Sequence, residues 1–320
     1  RNKYRKIGKP RRAKNKDITM KKIVYKLFLL VVFILRNLPK SFLRAFFRFI
    51  AFLGYLFAKN TNRIIETNLN FVFENSLSKD EIQKIQKYSY FNMILWVQSL
   101  IENLDVTDEE LKKTVKIENA HIIDNLKKEG KPLIFISAHY GNMEMLGHYI
   151  NRFHISVYQV ARESNFEEID EFIIKAREAS GSKIIFKSGA LKKLVKVMLK
   201  KEAVSLLIDQ NINSRDGEEV IFLGKKAYQT STTASLARKF DAFIIPIAIF
   251  NKENYNYKIK VYEPIIPIKT DNEKDDIKQI SQLEANAISA IIYEDKKQWF
   301  WPHKRFKSHY REIYEKNPNN

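Results

Sequence analysis

The stretch Pro132-Leu-Ile-Phe-Ile-Ser-Ala-His139-Tyr-Gly-Asn-Met-Glu144-Met145 decides how the chain reads. Leu133 to Ser137 is a short apolar run rich in branched residues, the composition of a strand buried on both faces of a parallel sheet. Gly141 and Asn142 punctuate it. From Met143 to Ile150 apolar residues resume over a helical length, so strand passes directly into helix. That turn places His139 at the carboxyl end of the strand and Glu144 in the first turn of the helix. Ligands of α/β sheets gather along that edge. A histidine there can act as a general base, and a carboxylate beside it can fix its tautomer and stabilise the imidazolium. The spacing equally allows a surface histidine followed by a glutamate that favours the helix dipole.

Working outward, strands are expected at Val115–Glu118, Leu133–Ser137, Ile155–Ala161, Lys183–Phe186, Ala203–Asp209, Phe243–Phe250 and Tyr257–Glu263. Helices are expected between most of them: Met143–Arg152, Phe166–Ser180, Ala190–Lys201 and Thr232–Phe240. This alternation predicts an α/β fold with a mostly parallel central sheet flanked by helices. Gly181 and Gly189 fall at element ends. No phosphate-loop or dinucleotide glycine signature is present, which argues against a nucleotide enzyme.

Upstream the composition changes. Arg1 to Lys22 carries eleven Lys/Arg against one Asp and reads as a disordered basic arm. Met20 precedes a plausible native start, so part of that arm is expected to be non-native. Ile23 to Leu38 is apolar between Lys21, Lys22 and Lys26 on one side and Arg36 on the other. It would give about 24 Å of helix at roughly 1.5 Å per residue, short of a bilayer core of about 30 Å. Pro39 breaks it. Phe42 to Phe57 then sets Arg44, Arg48, Ala51 and Tyr55 on one face and phenylalanines over the rest, a pattern suited to a helix in the headgroup layer with its arginines toward phosphates. A core helix of a soluble bundle is the alternative. The expected organisation is therefore a basic arm (1–22), an N-terminal membrane-associated helical segment (23–58), spanning or interfacial, and an α/β domain (59–320). A capping box at Ser78–Glu81 opens a long apolar helix in the last of these.

The 320 residues hold 56 Lys and Arg against 37 Asp and Glu, a net charge of +19, which calls for an anionic partner. Twenty-two Phe and 15 Tyr suit contact with lipid, and suit a packed core equally. Cysteine is absent, which excludes disulfides, thiolate catalysis and cysteine-based zinc sites.

Ala138-His139-x-x-x-x-Glu144 resembles the His-x-x-x-x-Asp/Glu signature of the glycerolipid acyltransferase superfamily. Four more stretches narrow the likeness to the late (lauroyl/myristoyl) acyltransferases of lipid A biosynthesis. Arg63-x-x-x-x-Asn68-Leu69 is similar to an element following the family's membrane segment. Arg162-x-x-Asn165 and Asp209-Gln210-Asn211 resemble two of its strand-end elements. Trp301-x-His303-x-Arg305-Phe306-Lys307 resembles its C-terminal run. Phe222-Leu223 stands where relatives often carry two phenylalanines. The resemblance covers roughly Ile23 to Lys307. It implies transfer of a fatty acyl group from acyl carrier protein to a hydroxyl of a lipid A precursor (Kdo-lipid IVA type), without metal or bound cofactor.

In that reading His139 is the base and Glu144 orients it. Arg162 holds an acceptor phosphate or the oxyanion, and Asn142, Asp209, Gln210, Asn211, Thr232 and Arg305 contact substrate. Thr232 opens a helix, where capping explains it as well as phosphate binding does. The implied partners are an acyl carrier protein, an anionic glycolipid and the cytoplasmic side of a bacterial inner membrane, with no nucleic acid. Three other readings stay open: a glycerol-phosphate or mannoside acyltransferase, a basic membrane-tethered nucleic-acid binder, and a non-catalytic scaffold.

Overall fold

A computed structural model of the chain describes residues 11–163 and 167–315, with the side chains of 11–23, 167 and 168 left aside. The first ten residues of the basic arm and Asn165 lie outside the described residues. In chain order the helices are α1 (Arg11–Asn37), α2 (Lys40–Phe57), α3 (Lys59–Val72), α4 (Lys79–Glu102), α5 (Asp108–Thr114), α6 (Ala120–Lys128), α7 (Met143–Phe153), α8 (Glu167–Glu178), α9 (Ala190–Leu199), α10 (Thr232–Phe240) and α11 (Glu273–Glu294). The strands are β1 (Val115–Glu118), β2 (Leu133–Ser137), β3 (Val157–Ala161), β4 (Lys183–Phe186), β5 (Ala203–Leu207), β6 (Gly217–Phe222), β7 (Lys225–Thr230), β8 (Phe243–Asn251) and β9 (Tyr257–Val261).

Seven strands form one sheet in the order β1-β9-β8-β2-β5-β3-β4, and β6 and β7 form a separate hairpin. The run β8-β2-β5-β3-β4 is parallel throughout. β9 returns antiparallel to β8, and β1 lies parallel to β9. Alternation along the strands sorts the core into two layers. Ile134, Ile136, Val204, Leu206 and Ile244 point to one side, where they meet Leu194 of α9, Ala234 of α10 and Ile288 of α11. Leu133, Phe135, Ala203, Phe243 and Ile245 point to the other, against Ile122 of α6 and Met145, Leu146 and Ile150 of α7. Without a counterpart in the sequence reading are the β6–β7 hairpin, whose residues alternate too weakly, and the helices α3, α6 and α11.

The N-terminal segment differs from expectation in two ways. Helix α1 begins at Arg11, inside the stretch read as a disordered arm. Lys, Arg and Ala are strong helix formers, and extending a helix already nucleated by the apolar part costs little. Two of the three cations of α2, with Arg36 at the end of α1, also face the other way. Arg44 pairs with Glu102 at 3.3 Å and lies over the Tyr255 ring, while Arg36 and Lys40 pair with Asp105 and Glu110. Leu43 and Phe47 of α2 pack with Ile101 of α4. Lys40 and Arg44 are therefore turned to the domain while Arg48 stays exposed beside the Tyr255 ring, and Phe42, Phe46, Phe49, Phe52 and Phe57 are left outside, up to 78 % exposed at Phe57. On α1, Leu27, Leu30, Phe33 and Ile34 are exposed as well. Among the described residues no single helix is long and apolar enough to cross a membrane; α2 and α3, bent by 81°, pass that test only as a pair.

The two ends of the α/β domain are stitched together by Asn68. Its amide donates to the carbonyls of Trp301 (2.7 Å) and His303 (2.9 Å), and its oxygen accepts from Tyr314 OH. Asn68 is fully buried, so removing it leaves buried groups without partners, each costing about 1–3 kcal/mol. Asn68→Ala is expected to destabilise the protein by about 2–4 kcal/mol, read as a lowered midpoint in thermal or denaturant unfolding.

Candidate active site

Strand register builds the site. β2 and β5 are adjacent and parallel, with Ser137 opposite Leu207, and Ile208 N–H continues the ladder to Ser137 O at 3.1 Å. Two residues further along each chain, His139 and Asp209 therefore emerge side by side at the carboxyl edge. The imidazole Nδ1–H donates to Asp209 Oδ1 at 2.8 Å, and the backbone N–H of His139 donates to Oδ2 at 2.9 Å. Trp299 Nε1–H, buried, gives Oδ2 a further donor at 2.8 Å. With Nδ1 committed to the carboxylate, Nε2 is the free lone pair. The exposed side chain of Gln210 faces it at 3.3 Å.

The electrostatics follow. Asp209 is 1 % exposed. Burial alone would raise its pKa, but the His139 charge and hydrogen bond, with the Trp299 and backbone donors, pull it down to about 2. Burial disfavours the His139 cation, yet the adjoining carboxylate outweighs that and raises its pKa above the ordinary 6.5. Trp96 and Phe300 stand with ring centres 6.1 and 6.0 Å from the imidazole.

The loop carrying His139 has little freedom. Phe300 N–H donates to His139 O at 2.9 Å, and Gly141 N–H donates to Gln298 O at 3.1 Å, so the C-terminal segment pairs with it like a strand. Trp96 Nε1–H caps Gly141 O at 2.7 Å. Gly141 has φ +53°, and a Cβ there would lie 2.0 Å from Ile249 O, which leaves no room for another residue.

Several expected roles change. Glu144 is not the partner of His139. It forms a two-bond ion pair with Arg177 of α8, at 2.5 and 3.0 Å, because the helix turns its carboxylate away from the imidazole and toward that guanidinium. Burial works against the Arg177 cation, and Glu144 more than offsets it. The pair borders a mostly apolar cavity of about 100 Å³ between α7 and the sheet, walled by Phe135, Leu146, Ile150 and Ile247. Asn142 is fully buried and caps α7, accepting from Met145 N–H while its amide donates to Ser99 Oγ and Tyr257 OH. Held to these partners and fully buried, it is withdrawn from the sheet edge where His139 emerges.

Arg305 is likewise fully buried. Its guanidinium donates to the carbonyls of Gln210 and Tyr228 and lies 4.6 Å from the Phe222 ring centre. Burial lowers its pKa to about 10, with Asp209 opposing the shift. It supports the 209–211 segment from behind and is no substrate ligand. Asn211 N–H donates to His303 Nε2 at 2.7 Å, which fits a His303 that burial holds neutral, its pKa near 4. The Thr232 hydroxyl accepts from Thr230 at 2.9 Å, a turn-closing contact. Arg162 is exposed at the end of β3, two strands from β2 on the same edge. Sequence reasoning missed Asp209 as the partner of His139 and gave no site role to Trp96, Arg177, Trp299 or Phe300. A strand-ending aspartate was the one available signal; nothing local marks the others.

The shifts are checked by ring-proton titration of His139. Its midpoint is expected above 6.5 in the native chain and below it in Asp209→Asn, where burial remains and the opposing charge is gone. By linkage, a raised His139 pKa contributes stability that is full below about 6.5 and fades as pH rises through the folded value. The lowered Asp209 contributes stability present above about 3.9 and lost as pH falls toward its folded value of about 2.

A family model described as bacterial lipid A biosynthesis acyltransferase matches residues 11–308. No curated protein matches the chain. The matched stretch takes in the His139–Asp209 pair, the loop that carries it and the C-terminal segment beneath it. The chain belongs to the bacterial lipid A biosynthesis acyltransferase family.

Proposed function

We propose that the protein moves a fatty acyl group from an acyl carrier protein thioester to a hydroxyl of a lipid A precursor of the Kdo-lipid IVA type, with His139 as general base. The observation that carries this is the Asp209-bound imidazole whose Nε2 faces outward at the sheet edge. The acceptor hydroxyl takes the place of the Gln210 amide at Nε2. His139 removes its proton as the oxygen attacks the thioester carbonyl. The C–O bond forms, the C–S bond breaks, and the imidazolium returns the proton to the departing thiolate. Asp209 holds the tautomer and steadies the cation, by the logic of an Asp-His pair in hydrolases. No enzyme nucleophile is required, consistent with a chain without cysteine.

The cavity under α7 offers apolar surface for part of the acyl chain, and the Glu144–Arg177 pair holds α7 and α8 around it. Arg162 binds a phosphate of the glycolipid. The exposed phenylalanines of α2 and the apolar side chains of α1 seat the protein in the headgroup layer of the inner membrane, on its cytoplasmic side. The net charge of +19 suits both an acidic carrier protein and an anionic glycolipid.

The test is product mass spectrometry with purified protein, tetra-acyl precursor and a panel of acyl carrier protein thioesters. His139→Ala is expected to lower turnover at least about a hundredfold in protein that still folds, with a lower melting point because the buried Asp209 loses its imidazole donor; near-normal turnover would remove the base. Since only the neutral imidazole accepts a proton, the acidic limb of the rate profile should lie above 6.5 and move down in Asp209→Asn. A second measurement separates binding from chemistry. Arg162→Ala is expected to raise KM for the glycolipid by roughly ten- to a hundredfold, the loss of a charged hydrogen bond, with smaller salt sensitivity and little change in kcat. A collapsed kcat with unchanged KM would move Arg162 to the thioester oxyanion.

A further inference from the structure

Helix α2 carries three cations after Pro39, and their environments differ. Lys40 and Arg44 are paired with Glu110 and Glu102. Arg48 is exposed and, among the described residues, has no hydrogen bond or ion pair; its guanidinium lies 5.3 Å from the Tyr255 ring centre. One helix away Lys87 of α4 is also exposed and has no carboxylate partner, its ammonium 5.4 Å from the Tyr55 ring centre. These two cations border the same cavity of about 210 Å³, whose remaining walls are Ala51, Phe52, Tyr55 and Phe91. Phe52, half of whose surface is exposed, continues the outward apolar face of Phe49 and Leu56.

We infer that this α2–α4 pocket binds the phosphate of a net-anionic membrane phospholipid, one without a headgroup cation to compete for that phosphate, with Arg48 and Lys87 as its ligands and the aromatic walls against the glycerol backbone. The inference rests on the membrane seat proposed above and adds a defined anionic-lipid site to it. Two unneutralised cations across one small cavity call for an anion. Walls of Ala, Phe and Tyr are of no use to a fully hydrated ion but suit a headgroup that carries apolar atoms beside its phosphate. The Tyr55 and Tyr255 rings give each cation a surface to rest on while its donors stay free. The position beside the exposed phenylalanines puts the cations at the depth where lipid phosphates lie.

The experiment is flotation of the full chain, diluted from detergent, with vesicles of phosphatidylcholine alone or of phosphatidylcholine containing phosphatidylglycerol. The native chain is expected to bind both and to prefer the anionic vesicles by about tenfold or more, the combined attraction of two basic residues held near an anionic surface. Arg48→Gln with Lys87→Gln should bring that preference to within about twofold, leaving binding to phosphatidylcholine and the melting point in place. A charge-matched control, Lys192→Gln with Lys193→Gln on exposed positions of α9, should keep the preference. A preference that survives the Arg48 and Lys87 changes, or is lost equally in the control, overturns the pocket and leaves diffuse attraction. Loss of the preference on adding inorganic phosphate at constant ionic strength identifies a free-phosphate site and overturns the lipid assignment. Binding to both vesicles without preference removes the pocket alone, whereas binding to neither removes the membrane seat and the pocket with it.

Discussion

A buried carboxylate is the constraint on which the rest of the site depends. Asp209 is ionised and almost wholly withdrawn from water, a state that costs several kcal/mol unless donors replace the lost hydration. Two of its three donors come from His139, and Trp299 supplies the third across 90 residues of sequence. Losing one of them would leave the charge under-solvated, so the His139 loop, the end of β5 and the C-terminal segment are held together by a common electrostatic need. The backbone pairing of Phe300 with His139 and of Gly141 with Gln298 serves the same end, as it sets the height at which Trp299 meets the carboxylate.

Behind this layer Arg305 fixes the 209–211 segment through the Gln210 carbonyl while its charge opposes that of Asp209. Two of its nitrogens, Nε and Nη2, have no hydrogen-bond partner among the described residues. The Phe222 ring beneath the guanidinium and the nearby anion make such a burial tolerable. The C-terminal aromatic and basic run thus works from inside the protein. Its Trp299, Trp301, Arg305 and Phe306 are among the largest fully buried side chains, and they form the floor on which the His139–Asp209 pair rests.

The N-terminal helices show how charge and apolarity are divided between the protein side and the outer face. Exposed ion pairs such as Arg36–Asp105 contribute only about 0–1 kcal/mol each, so packing of Leu43 and Phe47 on α4 holds α2 in place. The pairs instead set its rotation about its own axis. With Arg44 neutralised on the domain side, the phenylalanines are the surface left to the surroundings.

Local sequence determined the strands of the parallel sheet, the turn from β2 into α7 and the candidacy of His139, because buried strands, glycine turns and helix caps are written in residues close together. The seven-residue Leu133–His139 segment fixes its own conformation and the edge at which its histidine emerges. It could not name that histidine's partner. Glu144 is five residues away and of the right chemistry, yet a helix turn points it at Arg177, while Asp209, 70 residues distant, is delivered by the register of two neighbouring strands. In the same way, composition marks α2 as amphipathic, but that Lys40 and Arg44 turn inward depends on the acids of α4 and α5 beneath them. Pairing across a sheet and neutralisation across an interface join residues far apart in sequence, and only the tertiary structure decides them.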